Sequence, residues 1–433
     1  MITSRKSNLH HFMILFMGQT VSQLGTGMTG FALVIWAYTR NGEVMASSLL
    51  AVCSAVPYLL VSLFGGAVAD HANKKTIMLV CDSVSAVGSL VLLLCFYGNA
   101  LQLWLLCAVN ALSGLMSAFQ NPASQVAVSL LIDKKDYARI AGVQSFFASL
   151  TGLLTPVLAT ALLSTGGLSL ILAIDLGTFF FAFLTLLLFV RIPERIVREK
   201  SASVREILTS VREGLCFMRS RPGILGLLLM YSVLEFAGAV SFDSMYAPLL
   251  LARTQNNEMI VGVVSALMAL GCVAASLMLF LMRQPKRKLP MMYLGSFLCL
   301  AGITAFGMGR NLWQWCGIAL LGCFGSPIYQ TYQTVILREK VGVAMQGRVF
   351  SLQGMIVKML APAGYLAGAA LADSVFEPFM AHDGRVQDIA SIFVGKGHGA
   401  GIGLVFVLAG VFGMAFLCLL SRKKSIRRLD EAD

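Results

Sequence analysis

Long apolar stretches alternate with short polar breaks along the whole chain, and the stretches share one length scale. About 20 apolar residues, rising roughly 1.5 Å each, carry a helix across a hydrocarbon layer about 30 Å thick. Cutting the chain at its charged and Gly/Pro-rich breaks leaves twelve such segments: residues 11–39, 46–69, 76–97, 101–129, 140–165, 168–190, 223–250, 259–282, 289–309, 312–337, 347–372 and 400–420. Lipid offers no hydrogen-bond partner to the backbone, so segments of this kind are helices. The pattern predicts an all-α integral membrane protein with twelve transmembrane helices. The longest charged interruption, Arg191 to Arg221, divides them six and six. The expected organisation is a six-helix bundle at 1–190, a surface-lying linker at 191–222, a second six-helix bundle at 223–421 and a basic tail at 422–433.

Composition agrees and removes other classes. A chain of 433 residues that is 57% hydrophobic and 12% charged, with mean hydropathy +0.79, is no water-soluble globule. A net charge of +12 would point to nucleic acid in a soluble protein. Here topology explains it, and no nucleic-acid partner is expected. Alternate breaks hold 27 of the 33 Lys and Arg; the others hold Arg40, Arg253, Arg310, Arg385 and Lys396, and Lys358 lies inside a span. Under the positive-inside rule the rich side is cytoplasmic, with both termini there. The first apolar run is too long for a signal peptide and lacks a small-x-small cleavage site. Cysteines such as Cys53, Cys272, Cys299 and Cys323 sit in apolar runs with no C-x-x-C pair and read as small buried hydrophobes. No Gly-x-x-x-x-Gly-Lys-Ser/Thr loop and no H-E-x-x-H helix occurs, which disfavours an ATP-driven pump and an enzyme. No cofactor or metal is expected, and His382, Asp383 and His398 read as a solvated outer loop.

Polar side chains inside the spans carry the functional signal, because lipid tolerates them only where they face protein or water. Four spans show them at helical spacing: Gln19, Gln23, Thr26 and Gly30 in the first; Asn110, Ser113, Ser117 and Asn121 in the fourth; Tyr231, Glu235, Gly238 and Phe242 in the seventh; Gly322, Ser326, Tyr329, Gln330 and Gln333 in the tenth. These spans hold equivalent places in the two halves, which suggests a parallel repeat about an axis along the membrane normal. The intramembrane ionisable residues are Asp82, Asp175, Glu235, Asp243 and Lys358. Glu235 and Lys358 fall near the middle of their spans, Asp243 lies nearer the outer surface, and Asp82 and Asp175 are expected to bond locally.

The hinge between the second and third spans, Gly65-Gly66-Ala67-Val68-Ala69-Asp70-His71-Ala72-Asn73-Lys74-Lys75, resembles the signature loop of major facilitator superfamily transporters. Gly66, Ala69, Asp70, Lys74 and Lys75 fit the pattern; His71 stands where the family usually has Arg, and Asn73 where it has Gly. Gly18-Gln19, Leu24-Gly25, Ala118-Phe119-Gln120-Asn121-Pro122-Ala123, Gln346-Gly347-Arg348-Val349-Phe350 and Leu371-Ala372-Asp373 resemble the bacterial exporter branch that contains macrolide-efflux and siderophore-export proteins. Thr155-Pro156 stands where exporters tend to have Gly-Pro.

The resemblance implies the major facilitator fold, two six-helix bundles related by a pseudo-two-fold along the membrane normal, with the first, fourth, seventh and tenth helices around a central cavity. On it rest the expected cavity residues Gln19, Gln23, Trp36, Asn110, Gln120, Tyr231, Phe236, Tyr329, Gln330 and Gln333. It makes the seventh and eleventh helices neighbours, so Glu235 and Lys358 are expected to pair, with Glu235 as proton carrier and Asp243 as a second candidate. Asp70 is expected to face the start of the eleventh span near Arg348 as a gate, with Lys74 and Lys75 at lipid headgroups. The implied function is proton-coupled export of an amphipathic small molecule by alternating access, from a monomer in the bacterial inner membrane, with protons and membrane lipids as further partners. A nutrient uptake carrier and a lipid flippase of the same fold remain open, and the residues do not choose the cargo.

Overall fold

Every backbone N–H and C=O within the hydrocarbon layer needs a partner inside its own segment, and the helix supplies one. The computed structural model describes residues 2–71, 73–132, 137–190, 212, 216–282, 285, 287–382, 384–427 and 429; for 2–9, 63–71, 129, 137–139, 141–142, 145, 343–344, 346–348 and 350–351 it describes the backbone. The described residues form helices and connecting turns with no strand.

Helices α1 (Ile2–Asn41), α2 (Val44–His71), α3 (Lys74–Tyr97) and α4 (Leu103–Leu131) are followed by a helical run, Tyr137–Phe189, broken at Gly167. Gly167 has φ 66°, a left-handed conformation that costs glycine little, and it separates α5 (137–166) from α6 (168–189). Then come α7 (Pro222–Val240), α8 (Phe242–Arg253), α9 (Glu258–Leu281), α10 (Leu289–Met308), α11 (Leu312–Lys340) and α12 (Val343–Ala370). A π-helical turn, Leu371–Phe376, leads to α13 (Glu377–Ala381), α14 (Arg385–Val394), α15 (Ala400–Ser421) and α16 (Lys424–Arg427). Asparagines start three of the long helices: the side chains of Asn73, Asn257 and Asn311 accept from backbone N–H groups in the first turns of α3, α9 and α11.

Among the described residues nine helical segments are long and apolar enough to cross a membrane. One of them, Phe146–Phe189, contains both α5 and α6. With α1 and α11, whose polar stripes lower their apolarity, the spans number twelve. Large apolar side chains cover the outside, among them Leu60, Trp104, Phe280, Trp313 and Phe412, as lipid contact requires.

The chain forms two compact units: Met1–Gly42 with Leu49–Ser201, and Glu43–Ser48 with Ala202–Asp433. In the first, α1 packs on α6. A Cβ at Gly25 would collide with the Thr178 hydroxyl and press on Asp175, so glycine there sets the helix separation. At one end Phe12, Leu15, Met78, Ala127 and Leu186 form a tight core. In the second unit, α10 crosses α11 at Gly302 and Gly322, where a Cβ on Gly302 would stand 2.6 Å from the Gly322 Cα. Phe242, Phe306 and Phe406 pack together, with ring centroids 5.0–5.9 Å apart. Asp373 accepts from the N–H groups of Val44 (3.1 Å) and Met45 (2.7 Å) and so caps α2.

Several features differ from those expected. The seventh span breaks at Ser241, whose hydroxyl returns to the Ala237 carbonyl at 2.6 Å, so α8 sets off anew with Asp243 in its first turn. The eleventh runs as helix and π turn as far as Ala381 rather than ending near 372. The expected solvated outer loop contains α14, an amphipathic helix that exposes Val386, Ile389 and Ile392 at one-turn spacing. Most of the 191–222 linker lies outside the described residues.

The packing of α1 yields a paired prediction. Gly25→Ala lowers stability by about 1–3 kcal/mol through overpacking against Thr178. Gly30→Ala, where an added Cβ meets nothing within 4 Å, is neutral or stabilising. Heating followed by size-exclusion chromatography of the detergent-solubilised protein reads both.

Candidate functional site

The polar stripe of α1 faces inward, and other helices complete what it begins. Gln19, Gln23 and Thr26 line a cavity of about 230 Å³ in the first unit, together with Asp82, Ser85 and Ser89 of α3, Ser113, Ser117, Gln120 and Asn121 of α4, and Asp175 of α6. Two carboxylates anchor it. Asp82, 6% exposed, accepts from Gln19 Nε2 at 3.0 Å and from Gln120 Nε2 at 2.5 Å. Gln120 Nε2 also donates to Gln19 Oε1 at 3.1 Å, which ties α1, α3 and α4 into one network. Asp175, 4% exposed, accepts from Thr26 Oγ1 at 3.1 Å and Ser89 Oγ at 2.7 Å. No Lys, Arg or His is among the described residues lining this cavity. The aspartates therefore bond between helices rather than locally, because their short side chains point into the bundle.

The second unit holds a cavity of about 300 Å³ with different chemistry. Glu235, Gly238, Phe242 and Asp243 reach it from α7 and α8, and Ser326, Tyr329 and Gln330 from α11. Met268 and Cys272 of α9, Cys299 of α10 and Cys323 of α11 add a sulfur-rich wall. The Tyr329 hydroxyl donates to Glu235 Oε1 and accepts from Gln330 Nε2 at 3.3 Å. Tyr231 leans on the Tyr329 ring, centroid to centroid 6.0 Å. The arrangement offers one carboxylate, phenol and amide partners, and apolar and thiol surface. That set suits a ligand with a cationic end and an apolar body.

The remaining expected residues are dispersed. Trp36 lies under the Arg40 guanidinium at 5.4 Å and lines neither cavity. Asn110 also lines neither, because its amide donates to the Leu106 carbonyl of its own helix at 2.9 Å. Phe236 is half-buried outside both linings, and Lys358 is exposed on α12. Gln333 is 2% exposed with its Nε2 unbonded. In the gating motif, the side chains of Gly66, Asp70 and Arg348 fall outside the described residues. Lys74 is buried, and Lys75 Nζ donates to the carbonyls of Leu187 (2.9 Å) and Val190 (2.8 Å) at the end of α6. Protein rather than lipid headgroups thus takes Lys75, since free carbonyls and the negative end of a helix dipole attract a cation.

Sequence reasoning underrated Asp82 and Asp175 and missed Ser85 and Ser89. The signal was present: Asp82, Ser85 and Ser89 stand at i, i+3 and i+7, one face of the third span. The three thiols come from three helices and left no local pattern.

Comparison with known proteins identifies the family. The chain is 24% identical over 369 residues to macrolide efflux protein A of Streptococcus pyogenes, covering 84% of this chain and 90% of that protein. It is 22% identical over 347 residues to the enterobactin exporter of Citrobacter koseri, covering 79% and 80%. Among solved structures, a bacterial homologue of the human lysosomal transporter Spinster superposes with TM-score 0.72 at 17% identity, covering 99% of both chains. The Major Facilitator Superfamily model matches residues 15–365, so this multi-pass membrane protein belongs to that superfamily of transporters.

Proposed function

We propose that the protein is a proton-coupled exporter of an amphipathic, cationic small molecule, working by alternating access. The observation that carries this reading is Glu235, which opens on a cavity of aromatic, sulfur and apolar surface and is held there by a tyrosine hydroxyl. The similarity to efflux proteins, 22–24% identical over most of the chain, supports the outward direction.

The mechanism follows from what one carboxylate can hold. Ionised, Glu235 accepts the Tyr329 proton and presents its other oxygen to a cationic cargo. Protonated, it donates to the Tyr329 oxygen, and the cargo loses its counter-charge. Proton and cargo compete for one group, and that competition is antiport. Lys358 is the partner to which Glu235 turns when neither is bound, and Asp243, lining the same cavity, is the second acid. The membrane is the bacterial inner membrane, both termini face the cytoplasm, and the monomer is the working unit.

Proteoliposomes with an imposed pH gradient test this with a macrolide, whose amine is cationic, as the transported probe. Glu235→Gln abolishes gradient-driven movement of the transported probe while its binding to the detergent-solubilised protein persists. Full gradient-driven transport by Glu235→Gln would dispose of the assignment. Tyr329→Phe, which removes a hydrogen bond to a charged group, lowers the transport rate about tenfold or more.

A further inference from the structure

Three thiols in the second cavity take no part in handling the charge of proton or cargo. Cys272 of α9, Cys299 of α10 and Cys323 of α11 are free, half-buried, and all line it. Close backbone crossings bring them together. A Cβ at Gly271, next to Cys272, would collide with the Leu320 carbonyl, one turn before Cys323. One at Gly325, two residues after Cys323, would stand 3.0 Å from the Cys299 backbone nitrogen. At the first crossing the Cys272 thiol donates to the Cys323 carbonyl at 3.4 Å, and the two thiols interact with each other. Met268, one turn before Cys272, adds a thioether to the same wall.

What such a pair can hold follows from donor number and charge. Sulfur is a soft donor and selects soft partners. Among the described residues no group of three His, Cys, Asp or Glu is placed to hold a metal ion. Zinc wants four donors, and a two-coordinate soft ion wants its sulfurs on opposite sides, whereas these two stand side by side. A monovalent cation on two thiolates would also leave a negative charge beside Glu235 and Asp243, which hydrocarbon penalises. Arsenic(III) carrying one organic group meets every condition. It is soft, it bonds two sulfurs on one side, and it has two hydroxyls to exchange. Two S–As bonds form, two As–O bonds break, and the two thiol protons leave in two waters. No atom is oxidised or reduced, and the product is neutral.

We propose that Cys272 and Cys323 form a dithiol site for an organic arsenic(III) compound in the cavity of the second unit. The organic group lies against the apolar and aromatic surface of Phe242, Ile303 and Tyr329. Cys299 lines the site without bonding arsenic. The site depends neither on which cargo is carried nor on how its transport is coupled.

The test uses purified full-length protein in detergent, with neither cargo nor gradient, and phenylarsine oxide as the probe. The protein is treated with the probe, then with N-ethylmaleimide, and its peptides are read by mass spectrometry. In the wild type Cys272 and Cys323 escape alkylation together. Dimercaptopropanol restores their alkylation and mercaptoethanol does not, because a monothiol cannot match a chelate. Cys272→Ala and Cys323→Ala each raise the probe concentration that protects the remaining thiol by about a hundredfold or more, since the second bond is intramolecular. Cys299→Ala leaves that concentration unchanged. The proposal is overturned if the two cysteines alkylate equally with and without the probe, if mercaptoethanol reverses the protection as well as the dithiol does, or if the Cys272→Ala and Cys323→Ala variants are protected like the wild type. Should a variant fail to fold, the contrast between dithiol and monothiol in the wild type decides.

Discussion

Hydrocarbon offers nothing to a hydrogen-bonding group, and that one constraint organises the protein more than any single contact. It forces the backbone into helices and then sorts the side chains, apolar outward and polar toward other helices. The sorting shows best on α1 and α11, which carry too many amides and hydroxyls to be counted by apolarity alone. Their polar faces are used inside the units: Gln19 and Thr26 bond carboxylates from α3 and α6, and Tyr329 bonds Glu235 from α7. The least lipid-like helices are thus the ones with most to offer a polar ligand.

The two cavities answer the same constraint with different materials. The first is walled by amides and hydroxyls around Asp82 and Asp175. In the second, aromatic rings, methionine and thiols surround Glu235 and Asp243. An amide and hydroxyl lining reproduces much of what water gives an ion and little of what an apolar molecule seeks. Sulfur and aromatic surface is soft and adaptable, and it favours an apolar body of variable shape. The two units therefore enclose different chemistry.

Much of this was legible from the chain, because its signals were periodic. Span count followed from apolar length, and the stripes on the first, fourth, seventh and tenth spans from spacing. Gln19, Glu235 and Tyr329 lay on those stripes, whereas Gln120 was named through the family resemblance. What escaped had no local signature. The break at Ser241 comes from a serine returning its hydroxyl to the preceding turn, a choice that an apolar run does not reveal. Cys272, Cys299 and Cys323 meet only in three dimensions. Asn110 and Trp36 sat at plausible places, yet Asn110 spends its amide on its own helix and Trp36 packs with Arg40. The segment after residue 372 was expected to be a solvated loop, although Val386, Ile389 and Ile392 already spelled an amphipathic helix.

The charges are segregated in a way that bears on function. Lys75 donates to the last carbonyls of α6, Arg221 to the Lys340 carbonyl at the end of α11, and Arg310 to the Ser391 and Ile392 carbonyls near the end of α14. Arg253 bonds the carbonyls of Gly309, Val394 and Gly399. These cations neutralise helix ends, where the dipole and unpaired oxygens hold them firmly. The cavity carboxylates take neutral donors instead: glutamine amides on Asp82, threonine and serine hydroxyls on Asp175, a tyrosine hydroxyl on Glu235. A permanent cation beside a buried carboxylate fixes its charge and makes separation costly. A hydroxyl does not, because it donates to the ionised form and accepts from the protonated one, so a hydrogen bond survives either way. Partners that reverse roles at small cost are what a group needs if it must gain and lose a cation within the membrane.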